Sequence, residues 1–355
     1  MTEKEMPLWE VFVRSKQGLE HKHCGSLHAA DAPMALRMAR DVYTRRMEGV
    51  SIWVVPSVAI TASAPEDKAE DFDPAADKVY RHPRSTSCPK RSSTCEAAMS
   101  APAHHVDYVL RLGDSALVLG QRLSQWCGHG PMLEEDIAMT NIALDLIGQA
   151  RLLLSHAGHL EGRGRDEDAL AYFRDEADFR NATLTELPNG EGAHDDYAVT
   201  TARNLLCAAL AVPLWEALAG SSDPVLAQIA AKSVKEARSH LRHAGDWLVR
   251  FGDGTDASHA RAQAALERLW PYTHEWWATD PLEREAAAAG IGPVFADLKP
   301  AWDATVDAVL AKATLRRPAD TPFVSTGKLG RHSEHMGYLL TEMQSLARQH
   351  PGAVW

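Results

Sequence analysis

The sequence predicts a mainly α protein: a small N-terminal α+β domain fused to a bundle of long helices, with extra helices at the C-terminal end. Three observations predict this. Apolar residues recur at every second position near the N-terminus and at every third or fourth from about residue 106 onward. A stretch rich in Ala, Ser, Pro and charge separates the two patterns. Residues 132–154 and 225–251 are both long enough to be core helices of a four-helix bundle.

In the first region, 1–60, PLWEVFVRS alternates Leu8, Val11 and Val13 with Trp9 and Phe12, and HCGSLHA is a second short extended run. Asp31 is placed to cap a helix whose first turn holds Pro33. Leu36, Ala39, Val42 or Tyr43 and Met47 follow at helical spacing, Gly49 ends the helix, and VSIWVVP reads as an apolar strand. Residues 61–105 lack periodicity, turn from acidic (Glu66, Asp67, Glu70) to basic (Arg81, Arg84, Lys90), and read as linker and extended tail. Met99, followed by SAPAHHVDYVLRLGD, looks like a second protein start, so the chain reads as two once-separate polypeptides joined.

From 106 to 355 nearly everything reads as helix. Val109, Leu112, Ala116, Leu119, Leu123 and Trp126 form one stripe. Pro131 opens the next helix, GRGRDEDALAYFRDEADFRNATL is expected as one shorter helix, and LPNGEGAHDD as a turn-rich break. Residues 196–219 and 225–251 make a helical pair, with Asp223 capping and Pro224 starting the second. Further helices are expected at 257–278, 281–289, 299–314 and 332–349.

Bulk properties narrow the function classes. At 355 residues the chain has room for two or three domains and a real core. A formal net charge of -11 argues against a phosphate-backbone ligand, so no nucleic-acid partner is expected. No uninterrupted apolar run of about 18 residues appears, so no membrane span is expected. The N-terminus lacks a secretory pattern, and a cytoplasmic location is expected. The five cysteines are scattered without a C-x-x-C pair and read as free thiols.

Di-iron bundles take a Glu from each of two helices and a Glu-x-x-His pair from each of the other two. Here Glu-x-x-His occurs at Glu20–His23 and Glu191–His194, neither of them inside a bundle helix. The nearest approach to a metal face is Glu236, His240 and His243, which share a narrow arc at 100° per residue, with Ser239 where the i+3 His should stand. On the other long helix Asn141, Leu144, Ile147 and Gly148 are read as the inward positions, and the apolar Leu144 and Ile147 cannot bind iron. Asp114 and Glu216 could each add a carboxylate, although such flank residues are usually solvated. Glu236, His240 and His243 are better read as a polar network, and no catalytic, metal-binding or cofactor-binding residue is assigned. HSEH at 332–335 is read as a capped helix start, GDGTDASH at 252–259 as a helix–helix turn, and STGKLG at 325–330 carries no phosphate claim. Trp270, Tyr272, Trp276 and Trp277 are read as a core patch in preference to a docking anchor.

At these residues the chain resembles two components of the bacterial ring 1,2-phenylacetyl-CoA epoxidases. WEVFVRSKQGLEHKHCGSLHAA and the rest of 7–60, with DKVYRHP at 77–83, are similar to the small B component. Residues 106–355 are similar to the C component, most visibly at YVLRLGDSALVLGQRLSQWCGHGP, NIALDLIGQAR, KEARSHLRHAGDWL, RFGDGTD and the terminal HSEHMGYLLTEMQSLARQHPGAVW. RSTSCPKRSSTCEAA at 84–98 departs from the small component's usual ending. The resemblance implies a ferritin-like bundle without iron and no cofactor in this chain. It implies a hetero-oligomer with a homologous di-iron catalytic subunit (the A component) that binds phenylacetyl-CoA, and with a reductase subunit carrying FAD and iron–sulfur centres and using NADPH. The chain is then a non-catalytic assembly subunit. Two rivals are weighed: a di-metal oxygenase using Asp114, Glu216, Glu236 and His240, and a ligand-binding regulatory role for the α+β unit.

Overall fold

The computed structural model describes residues 6–14, 21–44, 50–60, 101–191, 194–351 and 353, and the chain divides into two compact units, Met1–Thr94 and Cys95–Trp355. Most of the 61–105 stretch lies outside the described residues, as do Glu20, Gly49, Cys88, Cys95, Met99 and the side chains of Glu191 and His194.

In the first unit β1 (Leu8–Arg14) is the middle strand of an antiparallel sheet, between β2 (Lys22–His28) and β3 (Ser51–Pro56). Helix α1 (Ala32–Tyr43) starts as expected: Asp31 accepts the Met34 amide at 2.8 Å, and Pro33 sits in the first turn. Val11, Ala35 and Ala39 are fully buried. The opposite sheet face stays open, so Trp53 of the apolar strand is 55% exposed and stacks on His21. Gly25 is required where β2 bulges opposite Val11. Its φ is +142°, and a Cβ there would meet the Tyr43 hydroxyl at 2.5 Å.

In the second unit the four long helices are α2 (Ala103–Ser124), α3 (Leu133–Glu161), α6 (Tyr197–Leu218) and α7 (Pro224–Gly252). The stripe Val109, Leu112, Ala116, Leu119, Leu123 and Trp126 is buried throughout. α2 lies along α3, and α6 along α7. The first pair approaches so closely at Gly120 that a Cβ there would stand 3.2 Å from the Ala143 carbonyl. Asp223 caps α7 as expected, accepting the Val225 and Leu226 amides.

The segment expected as one helix between the two pairs is instead α4 (Glu167–Tyr172), a 3₁₀ turn at Glu176–Asp178 and α5 (Thr183–Glu186). Two aspartates cause the break: Asp166 and Asp175 each cap a fresh start, and the intervening Arg174 is drawn away to Asp114. The break that follows closes as a short hairpin, β4 (Gly190–Glu191) and β5 (His194–Asp195). After the bundle come α8 (Asp256–Leu269), α9 (His274–Trp277), α10 (Pro281–Ala288), α11 (Lys299–Lys312) and α12 (Glu334–Gln349). The 252–259 stretch is the expected turn, with the Thr255 hydroxyl accepting the Ser258 amide. Trp270 and Trp276 are buried around Trp302, so the aromatic cluster is core.

Two helices are long and apolar enough to cross a membrane by length and composition, α3 and α6. For α6, 78% of the apolar window is inside the bundle; for α3 the share is 39%. Leu133, Ile137, Leu144 and Leu152 of α3 are exposed. At 100° per residue the first three fall within about 40° of each other, while Leu152 lies about 60° beyond the nearest of them. Cys24 and Cys127 are exposed free thiols, and Cys207 is a half-buried one.

Candidate functional site

Between α2, α3 and α6 lies a cavity of about 100 Å³, walled by Arg111, Ser115, Ala116 and Leu119 of α2, Leu146 and Gln149 of α3, Cys207, Ala211 and Leu214 of α6, and by Trp276 and Phe295 from the later segments. A smaller void of about 40 Å³ shares Leu119, Leu146, Cys207 and Ala211 and adds Ile142, Asn204 and His240. Among the described residues no carboxylate lines either space. The one imidazole, His240, has its Nε2 3.0 Å from Asp145 Oδ2. Burial pushes the Cys207 thiol up to about 12, so it packs as a neutral small side chain. A pair of irons needs several carboxylates to balance its charge. The donors lining this centre do not fit one.

The carboxylates stand one layer out, along the seam between α3 and α7. These helices run antiparallel, and their polar residues meet in register. Glu135 Oε2 lies 2.8 Å from His243 Nε2, Asp145 meets His240, Gln149 Nε2 donates to Glu236 Oε2 at 2.9 Å, and Asp223 Oδ2 lies 2.5 Å from His156 Nε2. Tyr197 adds a hydrogen bond to Glu135 from α6. Burial works against the Glu135 carboxylate, but donors from Tyr197, His243 and Trp247 outweigh it and hold the group below its ordinary value. Burial and that same carboxylate push the Tyr197 phenol well up.

Glu236, His240 and His243 do share one face of α7, as their spacing predicts, but each is turned to its own partner and Ser239 is exposed. Lys232 also pairs with Glu236. The expected inward positions of α3 are out of phase. Leu144 is 59% exposed and Asn141 is exposed, while Met139, Ile142, Leu146 and Gln149 face inward. The helix is apolar on nearly every side, so periodicity could not phase it. Asp114 is not solvated: it is fully buried, bound to the Arg174 guanidinium and accepting the Arg180 amide at 2.9 Å. Glu216 is exposed beside Arg238. Asp114, Glu216, Glu236 and His240 therefore do not come together at one point.

Sequence reasoning missed three acids on α3 and α5. Glu135 and Asp145 carry the seam, and Glu186 is fully buried against His332. The stretch at 332–335 is thus more than a capped start. His332 Nδ1 sits 2.7 Å from Glu186 Oε2, the Ser333 amide donates to Oε1, and the Ser333 hydroxyl makes no cap bond. Burial opposes the charged His332 ring, but Glu186 and the Phe179 carbonyl outweigh it and raise its proton affinity above the ordinary value. A spacing of four between Asp145 and Gln149 was the available signal for the seam.

Comparison with known proteins follows the same division of the chain. Residues 92–355 match the family described as phenylacetic acid catabolic protein, and residues 5–93 match the one described as phenylacetic acid degradation B. Over 248 residues the chain is 47% identical to the C component of the 1,2-phenylacetyl-CoA epoxidase of Escherichia coli K12, a match that covers 70% of this chain and 98% of that relative. Over 77 residues it is 69% identical to the B component of the same enzyme, covering 22% of this chain and 81% of that relative. A crystal structure of the phenylacetate-CoA oxygenase protein PaaB from Ralstonia eutropha JMP134 is 89% identical over 18% of this chain and all of its own, with a TM-score of 0.17.

Proposed function

Because this chain belongs to the phenylacetic acid catabolic protein family through residues 92–355, behind a B-type segment at 5–93, we propose that it is the non-catalytic assembly subunit of a phenylacetyl-CoA 1,2-epoxidase. The observation that carries this reading is the lining of the bundle centre, which lacks the carboxylates a pair of irons needs. The oxidising centre then resides in a homologous di-iron subunit that also binds phenylacetyl-CoA. Electrons reach it from a reductase subunit with FAD and iron–sulfur centres that draws on NADPH, and the whole complex works in the cytoplasm.

The outward face of α3 is the surface for the catalytic subunit. Leu133, Ile137 and Leu144 give it an apolar strip, and a Cβ at Gly148 would meet nothing within 4 Å, which leaves room for a partner side chain. The paired groups along the α3–α7 seam hold α3 in place from behind, so the strip is presented on a rigid element. Carrying the B and C components in one polypeptide fixes their ratio and raises the local concentration of each for the other.

The test is reconstitution. The homologous catalytic subunit and reductase turn over phenylacetyl-CoA with this chain present and lose that activity without it. Ile137→Ser with Leu144→Ser abolishes co-purification while leaving the fold intact. Turnover by this chain and reductase alone, with the catalytic subunit absent, would assign the chemistry here instead.

A further inference from the structure

Away from the bundle centre, three helices bring two imidazoles and a carboxylate together at one end of the bundle. His105 is in the first turn of α2, His156 in the last turns of α3, and Asp223 caps α7. Both rings present Nε2 to the same atom: Asp223 Oδ2 is 2.7 Å from His105 and 2.5 Å from His156. The three ligand atoms lie within 4.8 Å of one another, the one such grouping of three among the described residues. The other oxygen, Oδ1, is already committed to the α7 cap. The side chains are 16%, 10% and 4% exposed, so the cluster is shielded without being sealed. On its outer side is a hollow of about 400 Å³, walled by His104, His105, Ser222 and Asp223.

We propose that His105, His156 and Asp223 form a mononuclear site for a first-row divalent cation, with zinc the best match, and that its open position faces this hollow. Two imidazoles and one carboxylate around an open position are a donor set that zinc takes readily. Tetrahedral zinc holds its ligand atoms about 3.4 Å apart, so the two close nitrogen–oxygen pairs open by under about 1 Å to admit it. Each ring then turns its Nε2 lone pair to the cation and carries its proton on Nδ1, so neutral rings bind without losing a proton. The cation replaces two hydrogen bonds to one carboxylate oxygen, and it joins the ends of α2, α3 and α7. Its ligands are 51 and 67 residues apart in sequence, which explains why no spacing motif marks them.

Zinc titration of the full, chelator-treated chain by isothermal calorimetry tests the site. The expected result is one zinc per chain and a rise in melting temperature on loading. His156→Gln weakens binding at least tenfold. Asp223→Asn does the same while keeping the cap, since Asn caps helices as well as Asp does, and unchanged far-UV circular dichroism shows that the fold survives. Loading with cobalt should give the visible absorption of a four- or five-coordinate ion with nitrogen ligands, lost in either variant. No saturable zinc binding to the wild-type chain, or binding unchanged in both variants, overturns the proposal.

Discussion

Around Ser115, Leu146 and Ala211 the walls of the bundle centre carry no carboxylate, whereas just outside, along the same α2, several buried acids are each held by a fixed cation. Asp114 binds Arg174, Asp280 and Glu283 both bind Arg111, and Lys328 adds a second bond to Glu283. Glu186 binds His332 in the same layer. Acids appear where a later segment is clamped to the bundle, and they are absent from the walls of the two central cavities. A buried pair of this kind adds little net stability but is costly to break, because the surviving partner is left charged and dry.

The sharpest way to break this comparison is to remove one clamp. Asp114→Ala strands the Arg174 guanidinium and should cost about 3–5 kcal/mol in denaturant unfolding, while Glu216→Ala, on the exposed pair with Arg238, should cost no more than about 1 kcal/mol. Equal losses would mean that the two carboxylates are not in different environments. Trp126→Ala should cost about 3–5 kcal/mol through the cavity it leaves, and it also removes the indole N–H that donates to the Thr200 hydroxyl. Trp215→Ala, equally buried, falls in the same range.

A smaller effect should appear with pH. The folded protein holds the His332 proton above the ordinary value of 6.5, so the pair with Glu186 contributes fully below that value. Its contribution is lost as pH rises through the raised folded value. Melting temperature should therefore fall as pH rises above the ordinary value of 6.5, and His332→Gln should flatten that part of the curve. A profile identical in the variant would remove His332 from the account. Smallest of all, Leu144→Ser on the outward face of α3 should change stability by no more than about 0.5 kcal/mol, although the same residue is expected to matter for partner capture.

Much of this architecture is legible in the sequence, because its signals are local. The stripe from Val109 to Trp126 and the caps at Asp31 and Asp223 all depend on neighbours within a few turns. What the sequence hides is long-range or ambiguous. Glu186 and His332 are 146 positions apart, so no spacing rule joins them. The polar side of α3 is split by apolar residues on both faces, which put Leu144 inside when it is outside. Asp114 looks like an ordinary flank acid until the broken segment after α4 brings Arg174 and the Arg180 amide to it.

The most direct test of an iron-free bundle is Mössbauer spectroscopy of this chain, expressed with ⁵⁷Fe and purified alone, alongside the complex with the catalytic subunit. The account predicts a coupled pair of ferric ions in the complex and none in the chain by itself. A stoichiometric coupled pair in the isolated chain would contradict it.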